Sequence, residues 1–168
     1  EKIESITASY FNNLQRKKED IIEVRTEFHT ESYDTKTVTE KQSVKQGKLV
    51  IGFRAGMTFD FDNYPAIRLM TAIFGGGTFS KLFMNVREKL SLCYYCSSMV
   101  DPYVHSMFIS SGIEFENFGV AKDEILNQLE DMKKGNISKE EFENGKLYLL
   151  DYIKGIKDSH SLLLGNKL

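Results

Sequence analysis

Apolar residues recur along this chain at two periods, and the switches between them mark out its elements. Ile6, Tyr10 and Leu14 stand at helical spacing and the charged run Arg16–Asp20 follows, so a helix ending near Leu14 and then a polar connector are predicted. From Tyr33 to Lys48 the chain is rich in Thr, Lys and Gln with Val38 and Val44 at intervals, which predicts a solvated strand. Leu49, Ile51 and Phe53 then alternate with Val50, Gly52 and Arg54, the period of a strand with one buried face. Asp60, Asp62 and Asn63 are turn and cap residues, and Pro65 is tolerated in a first helical turn. They lead into a helix with Ile67, Met70, Ile73 and Phe74 on one stripe, ended by Gly75-Gly76-Gly77. Thr78 and Ser80 offer oxygens to cap a second helix, striped by Phe79, Leu82, Phe83, Val86 and Leu90.

Leu92–Val100 and Ser106–Phe115 are β-rich runs joined through Asp101-Pro102-Tyr103, a hairpin connection, with Met107, Ile109 and Ile113 sharing one face of the second. The next helix has Phe118, Ala121, Ile125, Leu129 and Met132 on one side and Gly135 as its C′ residue. Ser138-Lys139-Glu140-Glu141 has the form of a capping box and opens a last helix running to about Ile156. The predicted order is α, β, β, α, α, β, β, α, α. Strands and helices both come in pairs, so the fold class is α+β: an antiparallel sheet with helices packed mainly on one face.

Composition narrows the function. Of 168 residues, 41% are hydrophobic and 27% charged, the balance of a folded domain rather than a disordered segment. A net charge of −2 argues against nucleic acid as partner, because phosphate contacts demand a basic surface. Unbroken apolar stretches such as Leu49–Ile51 and Leu162–Leu164 are too short for a membrane helix, so no membrane partner is expected. Two cysteines cannot frame a disulfide scaffold, and unpaired thiols fit a reducing, cytoplasmic setting. The chain opens on Glu1 within a helical pattern, and is expected to be a piece of a longer protein.

Several motifs fall short of the chemistry they suggest. Phe74–Lys81 has glycines but neither the Lys-Ser/Thr of a phosphate loop nor a preceding strand, so the three glycines are expected to serve as a hinge between helices. Cys93-x-x-Cys96 has the spacing of redox and zinc motifs, but residues i and i+3 of a regular strand face opposite ways. No second pair is present to complete a tetrahedral site, and structural cysteines are expected; a redox role would require the two thiols to react as a pair. His29, His105 and His160 are scattered, and neither HExxH, HxxEH nor a nucleophile elbow occurs, so no metal ligands and no catalytic residues are expected in this chain. Arg87 near a helix end and Tyr94 at the start of the next strand could together donate hydrogen bonds to a peptide carbonyl or an oxyanion. Spacing alone favours a plainer arrangement, a surface ion pair of Arg87 with Glu88 or Asp101 beside a half-buried tyrosine.

At these residues the chain resembles the inverted-zincin metallopeptidases of the pitrilysin, insulin-degrading enzyme and mitochondrial processing peptidase type. The resemblance rests on Ala8–Leu14 (ASYFNNL), Asn63–Leu82 (NYPAIRLMTAIFGGGTFSKL), Val86–Tyr94 (VREKLSLCY) and Ile137–Tyr148 (ISKEEFENGKLY), in that order and spacing. It implies a metallopeptidase-repeat, LuxS-like architecture in which two α+β repeats enclose a peptide and only the first binds zinc. This chain is similar to the second. Ala66-Ile67-Arg68-Leu69-Met70 stands where the zinc helix would be, without ligands.

The resemblance implies that residues 1–30 are the tail of a preceding helix and a connector. Residues 31–168 are then one repeat, truncated at its C-terminal end. It further implies that Arg87 and Tyr94 bind substrate, and that zinc, where present, belongs to the parent protein or a partner chain. The partners implied are a peptide and a homologous first repeat or peptidase subunit, an arrangement that admits a dimer. The expected function is a non-catalytic, substrate-binding repeat of a zinc metallopeptidase. Ser91 where the family has Gly, and Cys93 where it has a small residue, admit the alternative of an inactive, peptidase-like interaction module.

Overall fold

The computed structural model describes residues 2–13, 34–54, 62–101 and 104–156. In chain order these form α1 (Lys2–Asn12), β1 (Gly47–Arg54), α2 (Tyr64–Gly75), a π-helix (Leu82–Lys89), β2 (Cys93–Asp101) and β3 (Ser106–Ile113). A short 3-10 turn (Phe115–Asn117), α3 (Phe118–Lys133) and α4 (Lys139–Ile156) complete them. The strands make one antiparallel sheet in the order β1-β3-β2, and the class is α+β as the pairing of elements predicts. No helix among the described residues is long and apolar enough to cross a membrane.

One expected strand is not there. Residues 34–46 carry no strand, and Val38 and Val44 are both exposed. A strand needs a pairing partner and a buried face to repay its ordering, and this polar segment has no alternating apolar set to supply one. Leu14, the connector after it, His29, Asp60, Pro102, Tyr103, His160 and Leu162–Leu164 lie outside the described residues.

The sheet buries one face. Leu49 of β1, Met107, Ile109 and Ile113 of β3 and Cys96 of β2 turn inward, and Ile51 and Phe53 pack partly against them. Across from them lie Phe74 of α2, Leu82 and Val86 of the π-helix, and Ala121 and Ile125 of α3. Each large apolar side chain fully buried there contributes about 1.5–3 kcal/mol. The other face shows Val50, Tyr95 and Met99 exposed, so the packed helices lie on one side.

Two helix ends carry the capping chemistry that the sequence predicts. By contrast, Asn63 at the start of α2 makes no side-chain cap bond, and Lys81 rather than Thr78 or Ser80 stands at the N-cap of the π-helix. At the end of α3 the Gly135 amide donates to Met132 O and the Asn136 amide to Asp131 O, both at 3.0 Å. Gly135 has φ +76°, which is the left-handed turn of a Schellman motif. At the start of α4 the Glu141 amide donates to Ser138 Oγ at 3.1 Å and the Ser138 amide to Glu141 Oε2 at 2.7 Å, the reciprocal pair of a capping box. Glu141 Oε1 also receives Lys81 Nζ at 2.8 Å, so one carboxylate ties α4 to the start of the π-helix. Burial pushes the Glu141 carboxyl up, but the Lys81 ammonium and the Ser138 amide and hydroxyl outweigh it and hold the group below its ordinary value.

The glycine run is shaped by close approach. Gly75 ends α2 against β2, where a Cβ would meet the Ser98 amide and lie 2.7 Å from Ser98 Oγ. That hydroxyl donates to Thr71 O at 3.2 Å, fixing α2 on the strand. Gly76 caps α2 with φ −85°, so neither it nor its neighbours use a left-handed backbone among the described glycines, where only Gly135 does.

Candidate functional site: the turn from the π-helix into strand β2

Arg87 sits in the last turn of the π-helix, with its guanidinium carbon 4.5 Å from the centroid of the Phe83 ring. Its Nη1 lies 3.1 Å from Glu88 Oε1. The wider π turn also explains Leu90, which an α-helical stripe would bury: it falls at the C-cap and is exposed. Ser91 follows with φ +51°, donating its amide to Arg87 O at 3.0 Å, and the Leu92 amide donates to Val86 O at 3.1 Å. Buried Leu92 anchors the reversal, and β2 begins one residue later.

The strand opens on a bulge. Cys93 stands opposite Ile113 and Tyr95 opposite Gly112, which leaves Tyr94 as the extra, unpaired residue. Tyr94 therefore projects outward and its hydroxyl donates to Glu114 Oε1 at 3.3 Å. The pair spans twenty residues of sequence and could be found only once the register of β2 on β3 was known. Arg87, Glu88, Ser91, Leu92, Cys93, Tyr94 and Glu114 line one open depression of about 370 Å³. Arg87 and Tyr94 thus share a depression, and the Arg87–Glu88 ion pair expected from spacing is present within it.

The bulge also corrects the expectation for the cysteines. The extra residue shifts the pleat, so Cys93 and Cys96 share the buried face, opposite Ile113 and Ser111. Both are free thiols. A hydrogen bond from Cys96 lowers the Cys93 thiol to about 7 against the opposing pull of burial, with help from the Ser111 hydroxyl and the Arg87 charge. Cys96 is pushed well up by its bond to Cys93 and by burial. Ser111, itself fully buried, donates to Tyr95 O at 2.9 Å.

Zinc does not fit the described residues: no three His, Cys, Asp or Glu side chains are grouped to hold an ion. Along Ala66–Met70 of α2 the side chains are apolar apart from Arg68, which lies 4.7 Å from the Tyr152 ring centroid.

Residues 1–149 match the family model described as the Peptidase M16 inactive domain. A "Probable inactive metalloprotease YmfF" of Bacillus subtilis is 38% identical over 123 residues, covering 73% of this chain and 29% of that protein. An "Uncharacterized zinc protease" of Rickettsia bellii is 28% identical over 107 residues, 62% of this chain and 26% of that protein. A crystal structure of a conserved protein from Enterococcus faecalis superposes with a TM-score of 0.69 at 32% identity, over 75% of this chain and 30% of that one. The chain thus spans less than a third of each of these relatives. With the match running from the first helix into α4, this chain belongs to the peptidase M16 inactive-domain family and is a peptidase-like, inactive module.

Proposed function

We propose that this module binds and orients an extended peptide for hydrolysis at a zinc site held by another repeat or a partner subunit. The observation that carries the reading is the convergence of Arg87 and Tyr94 on one open depression at the start of β2, an edge strand of the described sheet. Such an edge offers backbone N–H and C=O groups to a peptide laid alongside it. A guanidinium carries five N–H donors, and the exposed contacts to Glu88 and Glu114 are weak enough to be exchanged for a peptide carbonyl. Zinc in the parent protein or its partner is suggested by relatives that are called zinc proteases. The domain limits proposed are a helix tail and connector over residues 1–30 and one repeat beyond them.

The test is peptide binding and turnover by the full-length protein with its zinc-bearing partner. Arg87→Ala removes a charged hydrogen bond, worth about 1.5–3 kcal/mol, and is expected to weaken peptide affinity by about 10- to 100-fold. Tyr94→Phe removes a neutral one and is expected to weaken it by about 2- to 10-fold. Unchanged affinity and turnover in both variants would rule the role out.

A second reading, an interaction module that pairs with an active subunit without touching substrate, is favoured by the relative called an inactive metalloprotease. It predicts that the two substitutions leave peptide binding intact and that the full-length protein holds no zinc of its own.

A further inference from the structure

The bulge in β2 gives the two cysteines a relationship that a regular strand would deny them. Cys93 and Cys96 stand opposite Ile113 and Ser111, which are themselves same-face neighbours on β3. Same-face neighbours on a strand are about 6.6 Å apart, which lies near the upper limit of the Cα separation a disulfide can span. The register thus sets the two thiols side by side on the buried face of the sheet. They also differ in access: Cys93 forms part of the wall of the depression, while Cys96 lies buried deeper along the strand. A thiol at an opening backed by a second, shielded thiol is the arrangement of an attacking and a resolving cysteine.

We propose that Cys93 and Cys96 form an oxidation site, in which Cys93 reacts with a hydroperoxide entering the depression and Cys96 closes the product to a reversible disulfide. In the first step the Cys93 thiolate attacks a peroxide oxygen. An S–O bond forms, the O–O bond breaks, and the leaving hydroxide or alkoxide takes a proton, giving Cys93 sulfenic acid and water or an alcohol. In the second, Cys96 Sγ attacks the Cys93 sulfur. The S–S bond forms, the S–O bond breaks, and hydroxide leaves with the Cys96 proton as water. Two thiols are oxidised by two electrons and one hydroperoxide is reduced.

The lowered thiol of Cys93, beside the Ser111 hydroxyl and the Arg87 charge, suits the first step, because the thiolate is the nucleophile. A disulfide formed near its span limit is readily reopened. Two equivalents of a low-molecular-weight thiol restore both cysteines and leave as their own disulfide. This chemistry does not depend on the peptide-binding reading.

The experiment uses the reduced full-length protein, exposed at pH 7 to hydrogen peroxide until half of a glutathione control is oxidised. The protein is then unfolded in acid and labelled with N-ethylmaleimide. The tryptic peptide spanning residues 90–122 holds both cysteines and no internal Lys or Arg. It is expected to appear unlabelled and two hydrogens lighter, with the protein still monomeric on a non-reducing gel and the label restored by dithiothreitol. Two labels on that peptide, or a disulfide between copies, would overturn the proposal, and neither reading requires a variant. In Cys96→Ser, dimedone is expected to trap a sulfenic acid on Cys93. In Cys93→Ser, Cys96 is expected to remain reduced, and its oxidation at the wild-type rate would also overturn the assignment.

Discussion

The Lys81–Glu141 pair is a contact where structure permits a graded prediction. The Lys81 side chain is 8% exposed and that of Glu141 21%, and Glu141 serves both the ammonium and the Ser138 amide. Glu141→Ala leaves a buried ammonium unpaired and removes half of a capping box. Breaking a buried pair costs 3–5 kcal/mol, and the partial exposure of Glu141 places this variant near the lower figure, about 3 kcal/mol. Glu141→Gln keeps an oxygen for the Ser138 amide and loses only the charge, for about 2 kcal/mol. Lys81→Met keeps an apolar stem in a buried site and leaves a carboxylate that water and the Ser138 amide still serve, for about 1 kcal/mol. Because Met cannot care whether its neighbour is charged, the double variant Lys81→Met/Glu141→Gln should cost about as much as Lys81→Met alone. The coupling is then about 2 kcal/mol. Urea unfolding of the chain reads this directly: at an m-value of about 2 kcal/mol/M, Glu141→Gln lowers the midpoint by about 1 M. Costs that add in the double variant to within about 0.5 kcal/mol would refute the coupling and with it the joining of α4 to the π-helix through this carboxylate.

Three further outcomes follow from the same packing. The Glu141 carboxyl is held below its ordinary value near 4.5, so its contribution to stability is complete above that pH and is lost as pH falls through the lower folded value. The stability gap between wild type and Glu141→Gln should therefore narrow below about pH 4.5 in urea titrations repeated across pH. Gly75→Ala drives a methyl into the Ser98 amide and should cost about 1–3 kcal/mol, whereas Gly155→Ala, where a Cβ meets nothing within 4 Å, should gain about 0.5 kcal/mol; thermal melts of both check this. Ser91→Gly relieves a left-handed backbone worth about 1–2 kcal/mol and returns part of it as unfolded-state freedom, so a net gain of about 0.5–1 kcal/mol is expected in the same melts.

What could be read from the chain was local. The stripe Ile67, Ile73 and Phe74 is buried on α2, Ala121 and Ile125 are buried on α3, and Gly135 and the Ser138–Glu141 box end and begin helices where a helix-terminal signal placed them. These depend on neighbours within a turn or two, which the sequence lists in order. The sheet order β1-β3-β2 depends on pairings between distant segments, and no periodicity encodes which strand lies in the centre. The strand expected before β1 failed for a related reason: spacing of Val38 and Val44 suggested extension, but extension without a partner leaves both side chains in water.

The bulge is the deeper case, because it inverts a conclusion drawn from correct reasoning. Opposite faces for i and i+3 follow from an unbroken pleat, and Tyr94-Tyr95 carries no glycine or proline to announce a break in it. The insertion becomes visible only when Cys93 and Tyr95 are found opposite successive residues of β3. A single extra residue then has two effects at once. It frees Tyr94 from the ladder to face the depression with Arg87, and it turns Cys93 back to the face of Cys96. Deleting Tyr94 would restore a regular pleat, in which Cys93 and Cys96 stand two residues apart and still on one face, opposite Ile113 and Ser111. In the native chain both pairs depend on one backbone irregularity. This deletion should abolish the peptide-facing pair, read as lost peptide affinity, while the thiols still close to a disulfide under peroxide and the helical stripes of α2 and α3 stay in place.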